Sequence, residues 1–216
     1  MQKKITNDGS ITYFNEKYKE HYHSVSGAKE EALKKFILPS LKYLKLNKKI
    51  KILDVCFGLG YNSAAAIDVI KKKYPNIKIE IIGLENDMNI LNKILNNNID
   101  FDSYSLIKKC INNNLYYENE NLKIKIILND AIKEIKNLND EFDLIFHDPF
   151  SIKKMPDFWS QEFIESEYNL LKNNGILTTY SCSKFFRNHL KKLKFKIYDV
   201  EPIGRKAPST LAIKSS

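Results

Sequence analysis

The stretch that most constrains the fold is Ile50-Lys51-Ile52-Leu53-Asp54-Val55-Cys56-Phe57-Gly58-Leu59-Gly60-Tyr61-Asn62. An apolar run ending on an acid reads as a buried parallel strand. Two glycines follow, and then a helical pattern through Ala64, Ala65, Ala66, Ile67 and Ile70. Strand, glycine turn and helix make the first unit of a doubly wound sheet that binds a nucleotide-like cofactor. Gly58 and Gly60 let the backbone approach a ligand that a side chain would block. The helix beyond them turns its free amides toward that ligand. Tyr61-Asn62-Ser63 replaces the third glycine of the dinucleotide fingerprint. An acid such as Asp54 before the turn suits S-adenosylmethionine better than NAD, because it favours a methionine ammonium and this cofactor has no pyrophosphate. On the turn alone, a tight connection that binds nothing stays open.

The other strand ends extend the pattern. Ile77 to Glu85 reads as a second strand whose final acid lies 25 residues beyond Gly60. An acid near that distance takes ribose hydroxyl protons, a task for an acceptor-only carboxylate. Leu122–Leu128 alternates as a third strand and leads into Asn129-Asp130-Ala131. Asp130 either caps the next helix or accepts from an adenine amine, and one side chain can do both. Phe142–His147 reads as a fourth strand, running into Asp148-Pro149-Phe150-Ser151. Ligands in such sheets lie beyond the carboxyl ends of the strands, so Asp54, Glu85, Asp130 and Asp148 are expected on one rim.

Helices are expected over Glu30–Leu46, interrupted at Pro39, and over Asn86–Leu95, Tyr104–Ile111, Pro156–Leu171 and Ser183–Leu193. Gly175–Ser181 reads as a fifth strand, and Phe195–Val200 with Ser209–Ile213 as a closing hairpin. Ile11–Phe14 reads as a short strand in a polar, aromatic N-terminal segment. His21 and His23 lack a third ligand, so no metal is expected.

A length of 216 residues with 43% hydrophobic content implies one globular domain. No signal peptide or membrane-length apolar run is evident, and the 3 cysteines lack metal spacing, so a cytoplasmic protein with reduced thiols is expected. A net charge of +9 permits a polyanionic partner. A lysine- and asparagine-rich composition would give the same charge without one.

The stretches DGSITYF, EHYHSVSGAKEEA, LDVCFGLGYNS, GLEND, HDPFSIKKMPDFWSQEF, TYSCSKFFRNHL and GRKAPSTLA occur in that order over nearly the whole chain. Together they resemble the methyltransferase half of the MnmC family, in its stand-alone form without the FAD-dependent oxidase half. The resemblance implies an α/β fold of the class I S-adenosylmethionine-dependent methyltransferase type. This is a Rossmann-like doubly wound sheet with a C-terminal antiparallel hairpin over residues 29–216, with a small N-terminal arm over 1–28. It implies methylation of the 5-aminomethyl group on the wobble uridine of tRNA, the amine being supplied by another enzyme.

Carried over by position, Asp148 is the catalytic aspartate. Asp54, Phe57, Gly58, Gly60 and Asn62 form the cofactor turn. Glu85 is the ribose acid, and Asp130 and Ala131 are the adenine neighbours. Tyr22, Ser24 and Gly27 match an arm that closes over the cofactor. Lys154, Trp159, Arg187, Arg205 and Lys206 match further motif positions; with Lys153 for anticodon-loop phosphates and Phe150 for stacking on the uridine, they are the candidate tRNA contacts. For Trp159, core packing competes with stacking on the uridine. Cys56 departs from a glycine frequent in the family. No metal, FAD or membrane is implied, and a monomer is the default. The alternatives are an adenine-amine methyltransferase, with Phe150-Ser151 in place of its Pro-Tyr pair, a methyltransferase acting on a small amine, an aminopropyl transferase, and a non-catalytic cofactor- or RNA-binding module.

Overall fold

Five apolar runs of this chain become the parallel centre of one eight-stranded sheet in the computed structural model, which describes residues 1–215. The N-terminal arm comes first, as strands β1 (Gln2–Ile5), β2 (Ile11–Asn15) and β3 (Glu20–His21) of a separate antiparallel sheet. A helical segment follows: α1 (Ala28–Glu31), a π-helical turn (Ala32–Ile37) and α2 (Leu38–Ser40). The main sheet then begins with β4 (Lys49–Val55), α3 (Tyr61–Lys73), β5 (Lys78–Glu85), α4 (Met88–Leu95) and α5 (Tyr104–Asn112). It continues with β6 (Tyr116–Glu118), β7 (Leu122–Leu128), α6 (Ala131–Glu134) and β8 (Phe142–His147). A 3-10 turn (Pro156–Trp159) leads to α7 (Gln161–Leu170), β9 (Leu171–Thr179), α8 (Lys184–Lys192), β10 (Lys196–Val200) and β11 (Ser209–Ile213).

The strand order is β10-β11-β9-β8-β4-β5-β7-β6. The run from β9 to β7 is parallel, while β6 and β11 pair antiparallel at the two sides. The C-terminal hairpin is present, and β11 lies between β9 and β10. The chain moves from β4 outward through β5 and β7, then returns to lay β8 on the other flank of β4. That reversal opens a crevice at the β4/β8 tips, where ligands of such sheets bind.

Helices cover both faces, so the central strands are buried along most of their length. Along β4 the side chains alternate: Ile50 and Ile52 join the core under α3, α4 and α5, while Leu53 and Val55 join the core under α7 and α8.

Two expected helices differ. The expected break at Pro39 does not occur: the Leu38 amide bonds back five residues to the Leu33 carbonyl, the helical segment runs through Pro39 in α2, and it ends at Ser40, where a turn follows. The Pro156–Leu171 helix splits at Ser160, whose hydroxyl caps α7 by accepting from the Phe163 amide. Strands β1, β3 and β6 were not expected; each has four residues or fewer and none shows a buried, alternating pattern.

The arm is clamped to the domain through Asp8. Its carboxylate accepts from Thr6, Ser10 and, across the chain, the Glu30 amide at 2.9 Å. Burial works against the Asp8 charge, but the bonds from Ser10, Thr6 and Glu30 outweigh it and pull the pKa down to about 2. A Cβ on Gly27 would stand 2.5 Å from Asp8 Oδ2, so this anchor needs a glycine there. The Tyr61 hydroxyl of α3 completes the clamp by bonding the Ile11 amide and carbonyl, each at 2.9 Å.

Candidate active site

Beneath the arm, at the β4/β8 crevice, lies a cavity of about 760 Å³. That volume suits a cofactor-sized ligand. Its floor is the turn after β4. Cys56, Gly58 and Gly60 there all adopt left-handed backbone, with φ of 64°, 55° and 74°. Cys56 thus stands where a glycine would be unstrained and carries the backbone strain a glycine would avoid; nothing in the structure explains the cysteine. Gly60 has a further reason to be glycine: a Cβ there would stand 2.9 Å from the Phe57 ring. Phe57 is buried beneath the turn, so it props the turn from below instead of facing the cavity.

Glu85, at the end of β5, lines the cavity and braces the floor. One carboxylate oxygen accepts from the Gly58 amide at 2.8 Å, and the other from the Asn86 and Asp87 amides at 2.8 and 3.0 Å. Burial raises its pKa, and these three bonds partly offset the shift. Asp54 is fully buried below the cavity wall. Its Oδ2 accepts from the Ser63 hydroxyl at 2.6 Å and its Oδ1 has no partner. Burial pushes its pKa well up. Asp130 caps α6, accepting from the Ile132 amide at 3.0 Å, while the neighbouring Ala131 lines the cavity.

The loop after β8 is held residue by residue. Asp148 accepts from the Asn62 side-chain amide at 2.9 Å. The Pro149 carbonyl accepts from the Tyr180 hydroxyl at 3.1 Å, and the Phe150 carbonyl from Trp159 Nε1 at 2.9 Å. Ser151 donates through its amide to Glu20 at 3.0 Å and through its hydroxyl to the other Glu20 oxygen. The Phe150 ring lies between Tyr18 and Tyr22, with centroids 4.9 and 5.0 Å away. Burial raises the Asp148 pKa to about 7, with the Asn62 bond and the Lys35 charge pulling down and Glu31 pushing up. Asp148 is thus a carboxyl that titrates near neutrality while facing a cavity, as a general base or hydrogen-bond acceptor requires.

The arm supplies the roof. The Tyr22 hydroxyl accepts from Asn15 and donates to Asp87, and its ring would meet a Cβ on Gly58 at 3.4 Å. Ser24 donates its amide to Glu31 at 2.8 Å. Both line the cavity, whereas Gly27 serves the Asp8 anchor behind it. His23 packs against Tyr61, and burial lowers its pKa to about 4, while His21 packs against Phe14. Among the described residues no group of His, Cys, Asp and Glu is placed to hold a metal ion, and no helix is long and apolar enough to cross a membrane.

The residues expected at an RNA surface divide. Phe150 and Arg205 line the cavity, and Lys153, Lys154 and Lys206 are exposed outside it. Arg205 is also tied down, donating to the carbonyls of Tyr180, Ala207 and Pro208. Two of these RNA-surface placements correct the sequence reading, as Phe57, Asp54 and Gly27, which do not line the cavity, do for the cofactor residues. Trp159 is 1% exposed and packs against His147, Tyr180 and Phe186, so it supports the loop and offers no face to a base. Arg187 is spent on Asp199, Thr210 and the Ser209 carbonyl, pinning α8 to the C-terminal hairpin instead of a phosphate.

Comparisons with known proteins accord with this geometry. Residues 96–215, more than half of the chain, match the model of a family described as S-adenosyl-L-methionine-dependent methyltransferase. The crystal structure of MnmC2 from Aquifex aeolicus is 34% identical, with a TM-score of 0.82 over 98% of this chain and 69% of that one. The chain belongs to the MnmC2-like S-adenosyl-L-methionine-dependent methyltransferases. The uncharacterized protein MJ0670 of Methanocaldococcus jannaschii is 32% identical over 97% of the present chain, which spans 58% of that relative's length. TrmN from Thermus thermophilus, at 15% identity and a TM-score of 0.57 over 88% of this chain and 51% of that one, shares the fold.

Residues hidden from sequence reasoning also belong to the cavity wall. Glu20, Tyr18, Tyr180, Glu31 and Lys35 all line the cavity. Glu20 adjoins the His-Tyr-His run and could have been weighed with it. Lys35 carried no signal, because a lysine on an amphipathic helix reads as solvent-facing.

Proposed function

We propose that this methyltransferase N-methylates the 5-aminomethyl group of the wobble uridine in tRNA, converting it to 5-methylaminomethyl. The observation that carries the reading is Asp148: a half-buried carboxyl at the cavity, with a pKa of about 7, in a loop whose every residue is separately held. S-adenosylmethionine supplies an electrophilic methyl carbon on a sulfonium. Glu85 suits its ribose hydroxyls, Asp130 and Ala131 its adenine, and the Gly58–Gly60 turn the close passage of its backbone-contacting part. An alkylammonium has no lone pair, so the acceptor must lose a proton. Asp148, when ionised, would take the proton that the alkylammonium must lose before attack and hold the neutral amine by a hydrogen bond with its lone pair toward the methyl carbon, so that the nitrogen–carbon bond could form as the carbon–sulfur bond breaks and the product leave as a secondary ammonium. Phe150, set between Tyr18 and Tyr22 beside that carboxyl, walls the space open to a base extruded from its stack.

The expected RNA contacts are Lys153, Lys154 and Lys206, exposed outside the cavity, with Arg205 at its mouth. Arg205 both shapes the loop and contributes positive charge there. Nucleoside mass spectrometry tests the reading. Purified protein and S-adenosylmethionine should add one methyl to tRNA bearing 5-aminomethyluridine. Unchanged 5-aminomethyluridine, with methylation instead of a free amine or of another base, would reject it.

A further inference from the structure

The helical segment after the arm carries two Glu–Lys pairs, each four residues apart, in different settings. Glu30 and Lys34 pair at 2.6 Å on the surface, with side chains 35% and 55% exposed. Glu31 and Lys35 are also in contact, yet only 12% and 3% exposed, and both line the cavity. The π-helical turn carries Lys35, and such turns recur at functional sites. Against an apolar pair of similar size, a buried ion pair adds little stability. Stability therefore does not explain why this one is kept at a cavity wall.

The order of groups along the cavity suggests a use. At one end, on the β5 and β7 side, are Glu85 and Ala131. Asp148 follows β8, on the other flank of β4. The π-helical turn packs on α3 and on β9, beyond β8. The Glu31–Lys35 pair therefore lies at the opposite end from Glu85. Its opposite charges pull the Asp148 carboxyl in opposite directions, so both lie within electrostatic reach of it. S-adenosylmethionine has adenosine at one end, a zwitterionic amino acid at the other, and the sulfonium between them.

We infer that Glu31 and Lys35 form the subsite for the zwitterionic amino-acid end of the cofactor. The Lys35 ammonium takes the α-carboxylate, and Glu31, held by the Ser24 amide at 2.8 Å, takes the α-ammonium. A lysine ammonium has three donors, so its contact with Glu31 leaves others to offer. The inference rests on the family's cofactor and not on the methyl acceptor.

Binding without acceptor tests it. S-adenosylhomocysteine carries the amino-acid end and 5′-methylthioadenosine lacks it. The wild-type protein should prefer the former by calorimetry. Lys35→Met alone would leave Glu31 charged and buried, so the variant of choice is Glu31→Gln with Lys35→Met. It should lose roughly 10–100-fold of that preference, with 5′-methylthioadenosine affinity unchanged within about 3-fold. A preference kept at its wild-type value, or equal losses for both ligands, overturns the subsite. A second measurement needs no variant: acylation of Lys35, read by mass spectrometry, should be suppressed by S-adenosylhomocysteine and not by 5′-methylthioadenosine. Equal labelling under the two ligands also overturns it. A wild-type protein that bound neither ligand would instead remove the cofactor reading itself.

Discussion

Withdrawing the Asp148 carboxyl from water raises its pKa from 3.8 to about 7, so the folded protein holds that proton more tightly than the unfolded chain. The stabilising contribution is therefore complete below the ordinary carboxylate range and is lost as pH rises through about 7. Asp148→Asn cannot ionise. The melting temperature of the ligand-free variant should match wild type only below about pH 3.5 and exceed it by a margin that grows up to about pH 7 and then levels off, as a calorimetric pH series would show. Transfer should move the other way. Only the ionised carboxyl can take the amine's proton, so wild-type kcat/KM should climb as pH rises through about 7. Asp148→Asn should lose roughly 10²–10⁴-fold in rate while still binding S-adenosylhomocysteine. A variant that melts higher but transfers methyl at the wild-type rate would leave Asp148 without its role. A second residue-scale test concerns Gly83 in β5, where a Cβ would stand 2.6 Å from the buried Phe57 ring. Gly83→Ala should cost about 1–3 kcal/mol in urea unfolding, through strain on the ring that props the cofactor turn. Equal stability would show that Phe57 moves aside freely.

The arm and the loop after β8 meet where Phe150 packs on Tyr18 and Tyr22 and where β3 brings Glu20 over Ser151. A carboxylate joined through both oxygens to one residue fixes that residue's orientation more firmly than a single bond does. Glu20→Ala and Ser151→Ala should each slow transfer, and the double variant should be no slower than the worse single one. The coupling expected from kcat/KM in this double-mutant cycle is about 1–3 kcal/mol. Additive losses would mean the contact does not couple arm to loop. Much of the element plan was legible in the sequence. Strands β4, β5, β7 and β8 are apolar runs ending near acids, and burial on both faces of a parallel sheet demands that pattern. Glu85 and Asp148 could be placed at the cavity for the same reason. What escaped was set by distant contacts. Strand β3 is two residues long, and β6 exists because β7 offers an edge. The π-helical turn that carries Lys35 depends on a hydrogen-bond shift before Pro39 that no periodicity records. Trp159 and Arg187 read as RNA contacts by type, yet core packing and a pinned hairpin claimed them.

At the scale of the whole molecule, the charge of +9 acquires a direction once the anionic interior is known. Acids outnumber bases on the cavity wall, with Glu16, Glu20, Glu31, Glu85, Asp87 and Asp148 against Lys17, Lys35 and Arg205, so the excess positive charge lies outside it. Lys153 and Lys154 stand exposed beside the Asp148 loop, and Lys206 on the loop whose Gly204 approaches Ser26 of the arm. An anionic RNA would thus be drawn to the rim by exposed lysines, while its target amine would be drawn inward by carboxylates. These two attractions differ in their response to salt. Phosphate contacts release counterions, so the affinity for tRNA should fall linearly in log–log form as salt rises, by roughly 0.7–0.9 in slope per contact. Changing Lys153, Lys154 and Lys206 together to glutamine should reduce that slope by about 2–3. The affinity for S-adenosylhomocysteine, a ligand inside the cavity, should barely change over the same salt range. Filter-binding and calorimetric titrations in parallel would separate the two. If the triple variant keeps the wild-type slope, those lysines lie away from the bound nucleic acid, and the rim must be sought elsewhere on the surface.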